Sequence, residues 1–458
     1  MCGMKSYFLI VLAFSLTAQN SFGLSPVIFI PGDGGSQLEA KINKTSVVHY
    51  ICGKTTDDYY NVWLNLELLV PFVIDCWVDN LRLEYDNVTR TTRNPPGVDI
   101  RVPGWGNSEP VEWLDPSHDS AGACFNTMGD ALVKIGYVRN VSLRAAPYDF
   151  RKAPNENEEF FIKLKDLVQE TYRMNNNTPV TFLAHSMGGL MGLHFLRQQT
   201  QGWKDKYIKR MITLSTPWGG AMKALKVFAI GDDLGSLMLS ESTMRTEQIT
   251  CPSLAWLLPS TNFWKPTEVL VQTDKFNYTI NDLQKLFTDM ELPNAWEMRK
   301  DTEQYSRDFS APGVELHCLY GYNISTVEKL VYKPGKWLDG TPTLVNGDGD
   351  GTVNIRSLTA CERWAKTRTR YSRDIVKKNI NNDYNNDLND VGSYHDNSDN
   401  INYDNNIINY TGKRKYNKYK NTLNGRPIKS LPLQSAEHLK ILHDQRVIDY
   451  ITTVMKSD

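Results

Sequence analysis

The stretch VTFLAHSMGGLMGLHFLRQ, residues 180–198, decides how this chain is read. Val180 to Leu183 is a short apolar and β-branched run, as a buried strand requires, and Leu190 to Gln198 carries apolar side chains at helical spacing. Between them stands Ala184-x-Ser186-x-Gly188. A strand that turns at once into a helix presses the positions two before and two after the turning residue against neighbouring backbone, so both must be small. Ala184 replaces the commoner glycine but keeps the size. An ordinary turn that happens to contain serine is the competing reading, and the flanking strand and helix favour a nucleophile elbow.

Outward from this stretch the same pattern recurs. Val27 to Ile30 is a β-branched run that stops at Pro31-Gly32, and Met211 to Leu214 ends at Thr216-Pro217. Helical spacing marks Glu158 to Tyr172 and His443 to Met455. Strands alternating with helices predict an α/β fold, a mostly parallel sheet covered on both faces. A chain of 458 residues with 41% apolar content can fill such a core, as one large domain spanning 24–458.

A serine hydroxyl becomes a useful nucleophile when a neutral imidazole takes its proton and a carboxylate orients that imidazole. Asp350, in Gly349-Asp350-Gly351-Thr352-Val353, and His438, ahead of the last helix, are the expected partners. The order Ser, Asp, His is that of α/β-hydrolases and differs from the orders of the chymotrypsin and subtilisin folds. His185 adjoins the serine but diverges from it as successive side chains do; His443 is expected inside the final helix, and both are read as structural. Spacing alone does not separate Asp348 from Asp350. The run Asn346, Asp348, Asp350, Gly351 imitates a calcium loop, yet Ser357 stands where a bidentate glutamate belongs, so no metal requirement is expected. Nothing in the motifs calls for a cofactor. The loop Pro31-Gly32-Asp33-Gly34-Gly35 follows the first strand, and the backbone N–H groups of Asp33 and Met187 are assigned to an oxyanion hole. A dinucleotide loop is disfavoured because Gln37 stands where a third glycine or alanine belongs.

The N-terminus carries Lys5, an apolar run from Tyr7 to Phe14, and small residues at Ser21 and Gly23, which predicts a signal peptide over 1–23. That run is too short to cross a bilayer. Beyond it remain Cys52, Cys76, Cys124, Cys251, Cys318 and Cys361, which allow fifteen pairings. Sequons at Asn43, Asn87, Asn140, Asn176, Asn277, Asn323 and Asn409 agree with passage through the secretory pathway, to the lysosome or the exterior. Residues 370–424 are rich in Asn, Asp, Tyr and Lys and poor in aliphatics, and they read as a disordered insert. A net charge of −1 offers no basic field for nucleic acid.

The segments PGDGGSQLEAK, WLNLELLVPFVIDCW, APYDFRKAPNE, AHSMGG, WKDKYIKR, TPWGGAMK, LHCLYG and NGDGDGTVN resemble, in this order, the lecithin:cholesterol acyltransferase family. The resemblance runs from about Pro26 to Leu358 and resumes at Leu431. It implies an α/β-hydrolase core with a cap or lid, over about 90–125 and 218–310, and a small membrane-binding insertion over 48–80. It also implies calcium-independent release of fatty acid from glycerophospholipids and transfer of the acyl group to a lipid alcohol such as ceramide. Such an enzyme works at a phospholipid surface as a peripheral monomer. The triad Ser186, Asp350, His438 and the amides of Asp33 and Met187 carry over, as do disulfides Cys52–Cys76 and Cys318–Cys361, leaving Cys124 and Cys251 unassigned. A sterol acyltransferase, a neutral lipase, or a lipid-binding relative without catalysis are the alternatives. The insert between Asp350 and His438 departs from the family, and so do Gly189, Leu190 and Met191 after the elbow.

Val62 to Trp77 is too short to span a bilayer but suits an interfacial element, with Trp63, Leu64, Leu66, Leu68 and Leu69 expected to face lipid. A helix packed on the core would look similar from periodicity alone. A disulfide closing this loop would stabilise the fold by roughly 3 kcal/mol.

Overall fold

The computed structural model describes residues 23–70, 72–234, 240–365, 421–423 and 426–457. The expected leader lies outside these residues except for Gly23, and the insert from 370 to 420 lies outside them entirely. Among the described residues seven strands form the central sheet: β1 Val27–Ile30, β2 Leu143–Ala145, β3 Val180–His185, β4 Ile208–Leu214, β5 Glu315–Tyr322, β6 Asn421–Leu423 and β7 Arg426–Gln434. Their order is β6-β7-β5-β4-β3-β1-β2. Every pairing is parallel except the β6/β7 hairpin. Residues 421–423, read as part of the low-complexity insert, are therefore strand; backbone pairing to β7 is independent of the composition that suggested otherwise.

Alternation along β1 sorts the core. Ile28 and Ile30 face one side, with Phe182 and Ala184 of β3, and meet Leu164 and Leu167 of helix α2 (Glu158–Met174) and Phe195 of helix α3 (Met187–Arg197). Val27 and Phe29 face the other side, with Leu183, Ile212 and Leu214. There they meet Phe125, just ahead of helix α1 (Asn126–Lys134), and Val447, Ile448 and Ile451 of helix α4 (Gln445–Lys456). With about 25 cal/mol gained per Å² of apolar surface removed from water, two such faces are what hold a sheet between helix layers.

Between β4 and β5 the chain makes a long excursion through helices Met222–Ile230, Glu241–Gln248, Pro252–Trp256, Leu283–Asp289 and Pro293–Arg307. A second sheet of four strands adjoins it, built from Val269–Gln272, Asn277–Thr279, Ile324–Val331 and Thr343–Gly349. The expected 90–125 part of a cap is divided in the structure. Val98–Arg101 pairs with Leu38–Ile42, whereas Val111, Cys124 and Phe125 are buried beneath the central sheet. Apolar side chains at these last positions found the core rather than an outer layer. Both expected disulfides, Cys52–Cys76 and Cys318–Cys361, are formed, and Cys124 and Cys251 are buried thiols. Asn43, Asn87, Asn140, Asn176, Asn277 and Asn323 are all exposed, as a glycan acceptor must be; Asn409 lies outside the described residues.

Candidate active site

In this sheet β1 has β2 on one side and β3 on the other, so connections diverge at the carboxyl ends of β1 and β3 and leave a crevice there. The loop after β1 and the elbow after β3 both open into it. Ser186 has φ 53° and ψ −127°, a left-handed conformation that throws its side chain clear of the strand and starts α3 at Met187. Its N–H donates to Leu214 O at 2.9 Å, fixing the turn to β4. The requirement for small residues is visible at two glycines. A β-carbon at Gly188 would collide with the carbonyls of Ile30 and Pro31, and one at Gly32 would lie 2.7 Å from Ser186 Cβ. The loop after β1 and the serine thus lie in direct contact.

Three side chains distant in sequence converge at this point. His438, in the turn after β7, places Nε2 2.9 Å from Ser186 Oγ and Nδ1 2.8 Å from Asp350 Oδ2. All three are buried. With the imidazole neutral and its proton on Nδ1, Ser186 donates to Nε2 and Nδ1–H donates to the carboxylate, the arrangement that proton transfer from serine requires. Asp350 Oδ1 accepts from the N–H groups of Thr352 and Val353 at 3.1 and 2.7 Å. Burial pushes the Asp350 carboxyl up, but the neighbouring His438 and those hydrogen bonds outweigh it and hold the group below its ordinary value.

Asp348 is set apart from this cluster: its Oδ1 accepts the Asn323 N–H at 2.5 Å. The strand leading to Asp350, Thr343–Gly349, belongs to the smaller sheet, where it pairs antiparallel with Ile324–Val331; the Asn346 to Asp350 run is extended, with no calcium-loop geometry. His443 sits in a 3-10 turn, Lys440–His443, ahead of α4 rather than inside it, with Nδ1 2.7 Å from Thr127 Oγ1. Asp444, whose side chain caps the Arg446 N–H, starts the helix two residues later than periodicity predicted.

The loop after β1 is braced from outside. Tyr148 OH donates to Pro31 O at 2.9 Å, and Trp63 Nε1 donates to Gly34 O at 2.7 Å. Asp33 opens toward solvent but is ringed by protein; the resulting desolvation lifts its carboxyl to about 6, with the Gly34 N–H pulling the other way. Trp63 requires a correction. Its ring packs on Trp77 and Phe150 and is 9% exposed, so it does not face lipid. Leu64 and Leu69 are buried too, and Leu68 packs against the core; of the five residues expected outward only Leu66 is exposed. The reason is local: Trp63 ends a strand, Tyr60–Trp63, that pairs with Leu38–Ile42, and its indole N–H finds a partner only inward. Sequence reading missed the outward set, Val48, Tyr50, Ile51, Val70 and Phe72, because these residues follow neither helical nor strand periodicity.

A helix-covered parallel sheet with an elbow serine linked through histidine to aspartate at its carboxyl edge defines a protein of the α/β-hydrolase type. Comparison with known proteins narrows the class. Residues 59–445 match the family model described as lecithin:cholesterol acyltransferase. A Homo sapiens protein named lysosomal phospholipase A and acyltransferase is 46% identical over 339 residues, covering 74% of this chain and 82% of that protein. The Gallus gallus phosphatidylcholine-sterol acyltransferase is 41% identical over 339 residues, covering 74% of this chain and 81% of that protein. The chain belongs to the lecithin:cholesterol acyltransferase family.

Proposed function

We propose that the protein is a phospholipase A and lipid O-acyltransferase that works through an acyl-enzyme on Ser186. The observation that carries this reading is the continuous chain Ser186 Oγ, His438 Nε2, His438 Nδ1, Asp350 Oδ2, with links of 2.9 and 2.8 Å. The names of the 46% identical relatives supply the substrate class.

In the first half-reaction Ser186 Oγ attacks the ester carbonyl of a glycerophospholipid while His438 Nε2 takes its proton. Charge on the carbonyl oxygen is met by the N–H groups of Asp33 and Met187; one such donor is worth about 3 kcal/mol in the transition state. The resulting imidazolium is stabilised by the Asp350 carboxylate and returns its proton to the departing lysolipid alkoxide. Water or a lipid alcohol then enters and loses its proton to His438, which hands it to Ser186 Oγ as the acyl group leaves, restoring the free serine and neutral imidazole. Ceramide is the acceptor proposed, and the excursion over residues 218–310 serves as a cap that limits water at the acyl-enzyme.

Access to lipid is assigned to residues 48–80. His49 Nε2 lies 3.2 Å from Asp75 Oδ2 and Cys52 is bonded to Cys76, which gathers the 48–52 loop beside the start of helix Val73–Leu81. Tyr50, Ile51, Leu66, Val70 and Phe72 thereby present apolar surface on one tied unit, next to the loop that Trp63 braces. No described helix is long and apolar enough to cross a membrane, so attachment would be peripheral. The leader expected over 1–23 supports a place in the secretory pathway, in the lysosome or outside the cell.

The 41% identity to a sterol acyltransferase keeps one second reading in view, cholesterol as the acceptor. Phospholipid vesicles carrying ceramide, cholesterol or neither, with products identified by mass spectrometry, decide between them. Acylceramide is expected; cholesteryl ester alone would replace the proposed acceptor. Ser186→Ala is expected to abolish both fatty-acid release and transfer, and transfer that survives it would overturn the acyl-enzyme.

A further inference from the structure

The residue next to the nucleophile is a buried histidine that the mechanism above leaves unused. His185 is the last residue of β3, and strand alternation puts its side chain on the same face as Leu183, under the turn that carries His438. Its Nε2 lies 2.9 Å from the backbone carbonyl of His438, a contact between residues 253 apart in sequence. The two imidazoles lie 5.0 Å apart between centroids at 50°, and Phe125 meets the His185 ring edge-on at 6.4 Å.

We infer that His185 is a positioning residue for the triad, its Nε2–H donating to the His438 carbonyl and so holding the catalytic imidazole in register between Ser186 and Asp350. The inference rests on the triad reading. A carbonyl is only an acceptor, so this contact is a hydrogen bond only if His185 carries its proton on Nε2. Burial, with His438 alongside, drives the conjugate acid of His185 down to about 3, which leaves one proton on the ring at working pH. Neutrality also suits the chemistry, because a second positive ring would oppose the imidazolium that His438 becomes. The His438 N–H already donates to Asp350 O at 3.0 Å. With His185 on the carbonyl, the backbone of residue 438 is held on both sides, and rotation of the peptide plane would move Nε2 away from Ser186.

A phenyl ring, planar and slightly larger than imidazole, would fill the space and leave the His438 carbonyl without this donor. The full chain, His185→Phe and His185→Gln are compared for kcat and KM on a soluble short-chain nitrophenyl ester, with melting temperatures measured alongside. His185→Phe is expected to lower kcat about ten- to a hundredfold, since small displacements of a reacting group cost on that scale, while KM moves by less than about twofold. His185→Gln, whose amide can donate to the same carbonyl, is expected to recover kcat to within about threefold of wild type. A phenylalanine variant with wild-type kcat, or a glutamine variant no faster than phenylalanine, would overturn the inference. If the phenylalanine variant melts early, the 15N imidazole spectrum of the unaltered chain decides: a neutral His185 protonated on Nε2 supports the role, and a proton on Nδ1 rules it out. Failure of the unaltered chain to hydrolyse the ester and to take a fluorophosphonate label on Ser186 would remove the triad reading and this inference with it.

Discussion

Trp63 shows how far one side chain's meaning depends on where its polar atom finds a partner. An indole in an apolar stretch reads as a membrane anchor, yet here its N–H is committed to Gly34 O, one residue from Asp33, whose amide is assigned to the oxyanion. Trp63→Phe keeps most of the apolar ring and removes that donor. The expected result is a drop of about tenfold in kcat on a soluble ester with liposome binding unchanged, since outright loss of an oxyanion donor costs about 10²–10³ and a displaced one less. A variant that binds liposomes poorly and hydrolyses soluble ester normally would return Trp63 to the lipid surface.

At the scale of the element, the 48–80 segment has a buried side and an exposed side that its sequence does not separate. Leu69 is buried, so Leu69→Ser is expected to destabilise the fold by about 2–3 kcal/mol, lowering both activities together. Tyr50→Ser with Phe72→Ser removes the two most exposed rings of the unit, 96% and 74% accessible. That pair is expected to weaken sedimentation with phospholipid vesicles about tenfold or more, from the apolar area withdrawn from lipid, while soluble-ester turnover stays near wild type. Equal losses in both assays would count against the assignment. The elements themselves were legible where period and length agree. β1, β3 and α2 fall where their apolar spacing placed them, whereas α3 begins at Met187 rather than Leu190. That earlier start reflects the left-handed Ser186, which sends the chain into helix immediately. Asp350 follows a strand of the smaller sheet rather than of the central one, because long-range pairing chose that strand's partner.

Across the whole molecule, desolvated carboxyls tie stability and activity to pH. Glu247, on the helix Glu241–Gln248, is 6% exposed and accepts from Cys251 Sγ at 3.2 Å; Arg151, Asp149 and Asp33 are its charged neighbours. Desolvation raises it from 4.5 to about 7, and raises Asp33 from 3.8 to about 6. Both folded values lie above the unfolded ones, so the folded chain keeps protons that the unfolded chain releases. Stability present at acid pH is therefore lost as pH climbs from the unfolded values through about 6 and about 7, on the order of 3 kcal/mol for Glu247. Glu247→Gln is expected to melt above wild type near pH 7.5 and level with it near pH 4.5; identical melting curves at both would exclude this source. Ionisation of Asp33 would put a negative charge on the residue whose N–H is assigned to the oxyanion, so soluble-ester hydrolysis is expected to decline as pH passes about 6, and Asp33→Asn to flatten that limb of the profile.

What the sequence determined by itself was local and chemical. Small residues around Ser186, the order Ser, Asp, His, and the two periodicities follow from sterics and burial within a few residues, so the sheet class and the three candidate side chains could be named without coordinates. Only the tertiary structure decided where the strand leading to Asp350 pairs, which side of the 48–80 segment looks outward, and that His185 reaches the His438 backbone. Each of those outcomes is a contact between residues tens to hundreds of positions apart, fixed when the two core faces close on the sheet, and no pattern of neighbouring residues encodes it.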